Sequence, residues 1–153
     1  MLRVSKLTDY AVVVLVRLAQ QPCVQTSPGI AAGIGIPEPT VAKVLKILAG
    51  RGLVTSQRGA HGGYRLARAL AEIPVAEVIA AIDGPIALTA CVEGGSCESH
   101  RFCPMHGRWD PVNAAIETAL RGISLAEMEA AIPRAFRLPA DTDSRQGATL
   151  AAD

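Results

Sequence analysis

Aromatic residues are scarce in this chain: two Phe, two Tyr and one Trp among 153 residues, or 3%. Half of the residues are hydrophobic, so a core is available. It must be built from Ala, Val, Leu and Ile, which suits small helices. No segment approaches the roughly 20 consecutive apolar residues of a membrane helix. The opening MLRVSKLTDYAVVVLVRLA imitates a secretory leader, but Asp9 and Arg17 bracket a short apolar run and no small-residue cleavage site follows. The chain is therefore read as cytoplasmic, without a membrane partner. Internal repeats, a Walker phosphate loop and a dinucleotide fingerprint are all missing. No acid–base or nucleophile constellation is visible, which argues against an enzyme. The length allows one or two small domains.

Net charge is only +1, which by itself points to no partner. Its distribution does. Residues 1–68 carry nine Lys/Arg against two acids, a net of +7, and residues 69–153 carry six against twelve, a net of −6. A basic half joined to an acidic half describes a polyanion-binding module fused to something else.

Helical spacing predicts a first helix over residues 8–20, with Thr8 as N-cap and Pro22 beyond its end. Ser27-Pro28 opens a short second helix over residues 28–32, and GIGI at 33–36 makes a tight turn. A third helix spans residues 39–51 and stops at Gly52. Its Val41, Val44, Leu45 and Leu48 form one inward stripe, leaving Thr40, Ala42, Lys43 and Lys46 outside. Two helices joined by a Gly-containing turn, the second with a basic outer face, make a helix-turn-helix. Residues 53–58 and 64–67 are β-like runs around GAHGG, a hairpin with Arg58 and His61 at its tip. Such a wing can lay a cation against DNA phosphates or in the minor groove. Lys43 and Lys46 supply salt-dependent phosphate attraction, while Thr40 and Lys43 are best placed for base edges.

A further helix is expected over residues 74–83, ended by Gly84-Pro85, and another over 110–120 with Trp109, Val112, Ile116 and Leu120 along one stripe. That stripe cannot be buried by one lone helix, so a second copy of the chain is the expected cover. Residues 124–132 form a last short helix, where Ser124 and Glu127 fit a capping box.

Between these helices lies CVEGGSCESHRFCPMH. Cys91, Cys97 and Cys103 are evenly spaced, with five residues between neighbours and almost no large apolar side chains around them. Such a loop is not core. In a reducing compartment, clustered thiols favour metal or redox chemistry over disulfides. Structural zinc uses ligand pairs two to four residues apart, and ferredoxin-type sites often use shorter gaps. Wider, even gaps in a Gly-rich loop let one segment fold around a larger object, such as an iron–sulfur cluster. Zinc and a thiol-only redox switch are the competing readings. Three cysteines leave a fourth ligand to find. His106 is nearest, and Pro104 suits a helical first turn that would set Cys103 and His106 on one side, at a helix N-terminus favourable to a thiolate. His100 reads as a solvated loop residue and Cys23 as a bystander.

The start LRVSKLTDYAV, the wing RGxxGGYRL and Cys-x5-Cys-x5-Cys-x2-His before a Trp-containing helix together resemble the IscR/NsrR family of bacterial winged-helix regulators, over roughly residues 1–135. Within it the chain looks most like regulators of SUF-type iron–sulfur assembly operons. The resemblance implies a homodimer that binds operator DNA and carries a cluster on Cys91, Cys97 and Cys103, whose state alters DNA binding. His106 matches the IscR-like fourth ligand of a [2Fe–2S] site, the favoured form. Asp9 matches the NsrR-like ligand contributed from a partner subunit to a [4Fe–4S] site, the alternative. Gly107 and Pro111 depart from the IscR-like run after the histidine.

The expected architecture is mainly α with a small β-wing. Residues 1–84 form a winged helix-turn-helix DNA-binding domain, 85–108 the cluster-binding loop, 109–138 the dimerisation and C-terminal helices, and 139–153 a disordered tail. The expected function is sensing of iron–sulfur status and control of SUF-type genes. The alternatives are a redox- or nitric-oxide-sensing regulator of another regulon, or an iron–sulfur carrier whose basic half binds a protein partner.

Overall fold

The computed structural model describes residues 3–92, 95–98 and 101–132. The tail expected at 139–153, the end of the 109–138 segment and His100 lie outside the described residues.

The first helix, α1 (Lys6–Gln20), begins two residues earlier than its expected start. Ser5 is the N-cap: its hydroxyl accepts from the Thr8 amide at 3.1 Å. Thr8, expected to cap, is instead buried within the first turn. It has a tertiary partner that no local rule anticipates, the Asp83 carboxylate, to which its hydroxyl donates at 2.9 Å. The Ser5 amide donates to the same oxygen at 3.2 Å. Partial burial pushes the Asp83 pKa upward, but the hydrogen bonds from Ser5 and Thr8 outweigh it and hold the carboxyl below its ordinary value.

Helix α2 (Ser27–Ile34) is capped by Thr26, whose hydroxyl accepts from the Gly29 amide, and not by the expected Ser27. It ends on Gly35 in the left-handed region. Gly33 lies against the Arg17 guanidinium, and a Cβ there would sit 3.0 Å from Nε. Arg17 is therefore a buried cation between α1 and α2 and adds nothing to the surface charge of the basic half.

Helix α3 (Glu38–Gly50) carries the anticipated stripe, with Val41, Val44, Leu45 and Leu48 all completely buried. At about 1.5–3 kcal/mol for each fully buried side chain, this stripe is what seats the helix. Gly52, in the left-handed region, turns the chain away. Strands β1 (Val54–Gln57) and β2 (Gly63–Leu66) pair antiparallel, Val54 facing Leu66 and Gln57 facing Gly63. Tyr64 also exchanges two backbone hydrogen bonds with Gln25, which fastens the wing to the segment before α2.

A 3-10 turn at Leu70–Glu72 leads to α4 (Val75–Asp83). Helix α5 (Asp110–Arg121) starts where expected, with Trp109 at the cap position. Helix α6 (Leu125–Ala130) has the expected capping box: Ser124 Oγ accepts from the Glu127 amide, and Glu127 accepts from the Ser124 amide at 2.7 Å. The Ser124 amide and hydroxyl, both donating to the carboxylate, hold the Glu127 carboxyl below its usual pKa. Leu125 is fully buried in the same core as Leu15, Leu45 and Ile73. The Leu125 amide donates to the Ile73 carbonyl and the Val75 amide to the Ile123 carbonyl, both at 2.9 Å. The stretch after the cysteine loop thus returns to complete the N-terminal core. Among the described residues, no helix is long and apolar enough to cross a membrane.

Candidate functional site

Lys43 and Lys46 lie on the side of α3 opposite its buried stripe, and both are exposed. Thr40, one turn earlier, is half-buried. The wing tip holds Arg58 and His61, both exposed. Its tightness depends on glycine: a Cβ at Gly62 would lie 2.5 Å from the Gln57 carbonyl oxygen, and one at Gly63 would lie 2.4 Å from that of Gln25. The expected DNA-facing residues therefore fall on two solvent-facing elements with a common scaffold. Arg51 and Arg65 are also exposed, at the end of α3 and on β2. Lys6 lies over the Tyr10 ring at 5.5 Å, and Arg68 is paired with Glu77.

The cysteine loop leaves α4 at Gly84, a left-handed position. Cys91, Cys97 and Cys103 are all half-buried and none is in a disulfide. The Cys91 sulfur lies 3.2 Å from the Thr89 hydroxyl oxygen. Cys103 and His106 are joined by a turn, the His106 amide donating to the Cys103 carbonyl at 3.2 Å. The helical first turn expected from Pro104 does not form. Further turns follow, Gly107 adopts φ +72°, and α5 begins only at Asp110. A left-handed residue cannot continue a right-handed helix, so the helix expected to begin at Cys103–Pro104 does not form there. His106 is exposed, as is Asp9 in the first turn of α1. Among the described residues no three His, Cys, Asp or Glu side chains are gathered as a metal site would gather them. Cys23 is exposed on the segment after α1.

Two residues of this region carry no signal in the sequence. Asn113 is the one buried residue of α5; its side-chain amide donates to the Ile86 carbonyl at 2.8 Å and accepts from the Leu88 amide at 3.0 Å. Thr89 comes two residues before the first loop cysteine. An Asn amid apolar positions could have drawn attention as a buried polar group needing partners, but its partners are 25 and 27 residues away. Beside Asn113, Trp109 and Val112 are 42% and 45% exposed. With Arg3, Leu88, Thr89 and Ile116 they line an open cavity of about 500 Å³.

A helix-turn-helix with a basic outer face, followed by a two-stranded wing, defines a winged-helix DNA-binding protein. The model of the Rrf2 family, described as iron-dependent transcriptional regulators, matches residues 4–131, and the chain belongs to that family. An HTH-type transcriptional regulator of Azotobacter vinelandii is 44% identical over 78 residues, 51% of this chain and 48% of that protein; the chain spans about half of that relative's length. A second, from Mycobacterium tuberculosis (strain H37Rv), is 33% identical over 130 residues, 83% of this chain and 81% of that protein. Among solved structures, IscR of T. potens superposes with a TM-score of 0.62 at 31% identity, covering 87% of this chain and 93% of that one. The chain is a transcriptional regulator of IscR type and not an enzyme.

Proposed function

We propose that this regulator is a homodimer that reads iron–sulfur status and controls cluster-assembly genes of the SUF type. The observation that carries the reading is the loop itself: three half-buried thiols, not joined by disulfides, between a basic winged helix and a helix with an exposed apolar face. The donor chemistry fits the group, since three thiolates and an imidazole or carboxylate are ligands that iron–sulfur clusters take. Cys91, Cys97 and Cys103 would hold it, with His106 as fourth ligand of a [2Fe–2S] form. Asp9 of a second subunit is the alternative, in a [4Fe–4S] form. Once bound, the cluster supplies a charged group whose presence depends on iron supply and oxidation.

The remaining roles belong to side chains. Lys43 and Lys46 neutralise phosphates, Thr40 and Lys43 approach base edges, and Arg58 and His61 bring the wing to the backbone or minor groove. Trp109 and Val112 meet their counterparts across a two-fold axis, which calls for a roughly palindromic operator with half-sites one helical turn apart, about 34 Å. The cysteine loop leads into α5, so closing of the loop around a bound group would change the support of α5 and with it the spacing of the two recognition helices.

Anaerobic purification with absorption and Mössbauer spectra tests the cofactor, repeated on His106→Ala and Asp9→Ala. Loss of the spectrum in one variant identifies the fourth ligand, and a colourless protein holding stoichiometric zinc overturns the reading. Fluorescence anisotropy on the upstream region of a cluster-assembly operon tests the regulon. Binding that is salt-dependent but indifferent to sequence counts against a regulator of those genes.

A further inference from the structure

We propose that Asn113 and Thr89 together fix Cys91 in place, making it the anchor ligand onto which the other donors of the loop close; this rests on the cluster reading above. Asn113 is 1% exposed, and both ends of its amide are used. The partners also set its orientation. One is a carbonyl and the other an N–H, so a flipped amide would face donor with donor and acceptor with acceptor. The clamp pins Ile86 and Leu88 to α5. Thr89 follows at once, and its carbonyl accepts from the amide of buried Val92 at 3.3 Å. Cys91 therefore lies between two fixed points, three residues beyond the clamp. The Thr89 hydroxyl reaches its sulfur at 3.2 Å. A thiolate has no proton to give, so toward a ligating sulfur the hydroxyl is the donor.

Two consequences follow from this arrangement. Cys91 does not have to be ordered when a cluster binds, whereas a ligand set with no fixed member would have to order every donor. In addition, Asn113 projects from the same helix that presents Trp109 and Val112. A pull on Cys91 from the closing loop would be resisted at α5 through the two hydrogen bonds of Asn113 rather than through the turns after His106. Asn113 and Thr89 are positioning residues, since neither would touch iron.

The test uses the full chain. In the metal-free protein, Asn113→Ala should speed exchange of the Leu88 amide by about five- to tenfold, the loss expected for one buried hydrogen bond, and leave core amides such as Leu45 unchanged. Asn113→Leu, which keeps the approximate volume and removes both the donor and the acceptor, serves for the same exchange measurement if the alanine variant does not fold. After anaerobic loading with ferrous iron and sulfide, both variants should release the cluster about tenfold faster than wild type. Thr89→Val should move the reduction potential downward, because a hydrogen bond to a ligating sulfur favours the reduced, more negative cluster. Thr89→Ser should restore the wild-type potential. Unchanged Leu88 exchange overturns the clamp whether or not a cluster binds. A loaded wild type with an unchanged potential in Thr89→Val overturns the role of Thr89. A wild type that takes up no iron and sulfide overturns the cluster reading and the anchor with it, and shows this in its own spectrum.

Discussion

The Thr8 hydroxyl and the Asp83 carboxylate, 75 residues apart in sequence, are joined at 2.9 Å and tie the first turn of α1 to the last turn of α4. Thr8→Val preserves the shape of a buried side chain and removes the donor. The expected loss at neutral pH is about 1 kcal/mol. The Asp83 pKa is lowered on folding, so the interaction stabilises fully above the unfolded value, 3.8, and is lost as pH falls through the lower folded value. Urea unfolding at about pH 7 and about pH 3 should show the gap between wild type and variant closing in acid. A gap independent of pH would mean that the carboxylate contributes nothing to it.

Gly63 is the residue on which the wing's position turns. It combines φ +156° with a 2.4 Å approach of a would-be Cβ to the Gln25 carbonyl oxygen. Gly63→Ala should destabilise the fold by more than about 1 kcal/mol and weaken operator binding more than the stability loss explains, because β2 must part from Gln25. Thermal melts and anisotropy on one preparation separate the two effects.

The exposed cations of α3 and the wing should behave as phosphate ligands. Replacing Lys46 or Arg58 by Ala should weaken binding to all sequences alike and reduce the magnitude of the log–log salt slope by about 0.9 for each phosphate no longer neutralised. Thr40→Val should instead alter preference among operator variants while leaving the salt slope unchanged. Titrations at several salt concentrations distinguish these outcomes.

Leu125 is fully buried in the core shared with α1, α3 and the Ile73 segment. Leu125→Ala should cost about 2–5 kcal/mol and lower the melting temperature of the winged helix itself. Calorimetry should show one transition in wild type and variant, shifted downward in the variant. Two separate transitions would mean that α6 folds apart from the DNA-binding unit.

Val112, 45% exposed on α5, is the expected centre of the contact between copies. Val112→Glu places a charge on that face and should convert a dimer to a monomer by light scattering, with operator affinity falling in step. Far-UV circular dichroism should be unchanged, since the side chain has little to do with the fold of its own chain.

The parts of the fold readable from sequence were those whose causes are local. The α3 stripe follows from helical period, the wing from its glycines, and the α6 cap from a hydroxyl and a carboxylate three residues apart. What escaped has distant causes. Ser5 and Thr8 satisfy the capping rules equally, and only Asp83 decides between them. The α6 segment gives no sign that it will enter the core of residues 5–83 rather than stand beside it. Cysteine spacing singled out the loop as a candidate site, but the tie from Asn113 to residues 86 and 88 is tertiary and has no pattern to read. Gly107 interrupts helical structure after His106, because the backbone freedom of glycine is a local property, whereas Pro111 sits within the first turn of α5.

The pairing of Pro74 with Ser124 and the burial of Leu125 also bear on how such regulators can diversify. A gene encoding residues 1–84 alone could not serve as a portable cassette, for its product would present the surface around Ile73 that Leu125 covers and would be prone to aggregate. Recombination that exchanges the cysteine loop must therefore keep both flanks from the same parent or bring a compatible pair. Insertions and changes of spacing confined to the stretch between Val92 and Asp110 escape that constraint, and there the loop can change without rebuilding the reader of DNA.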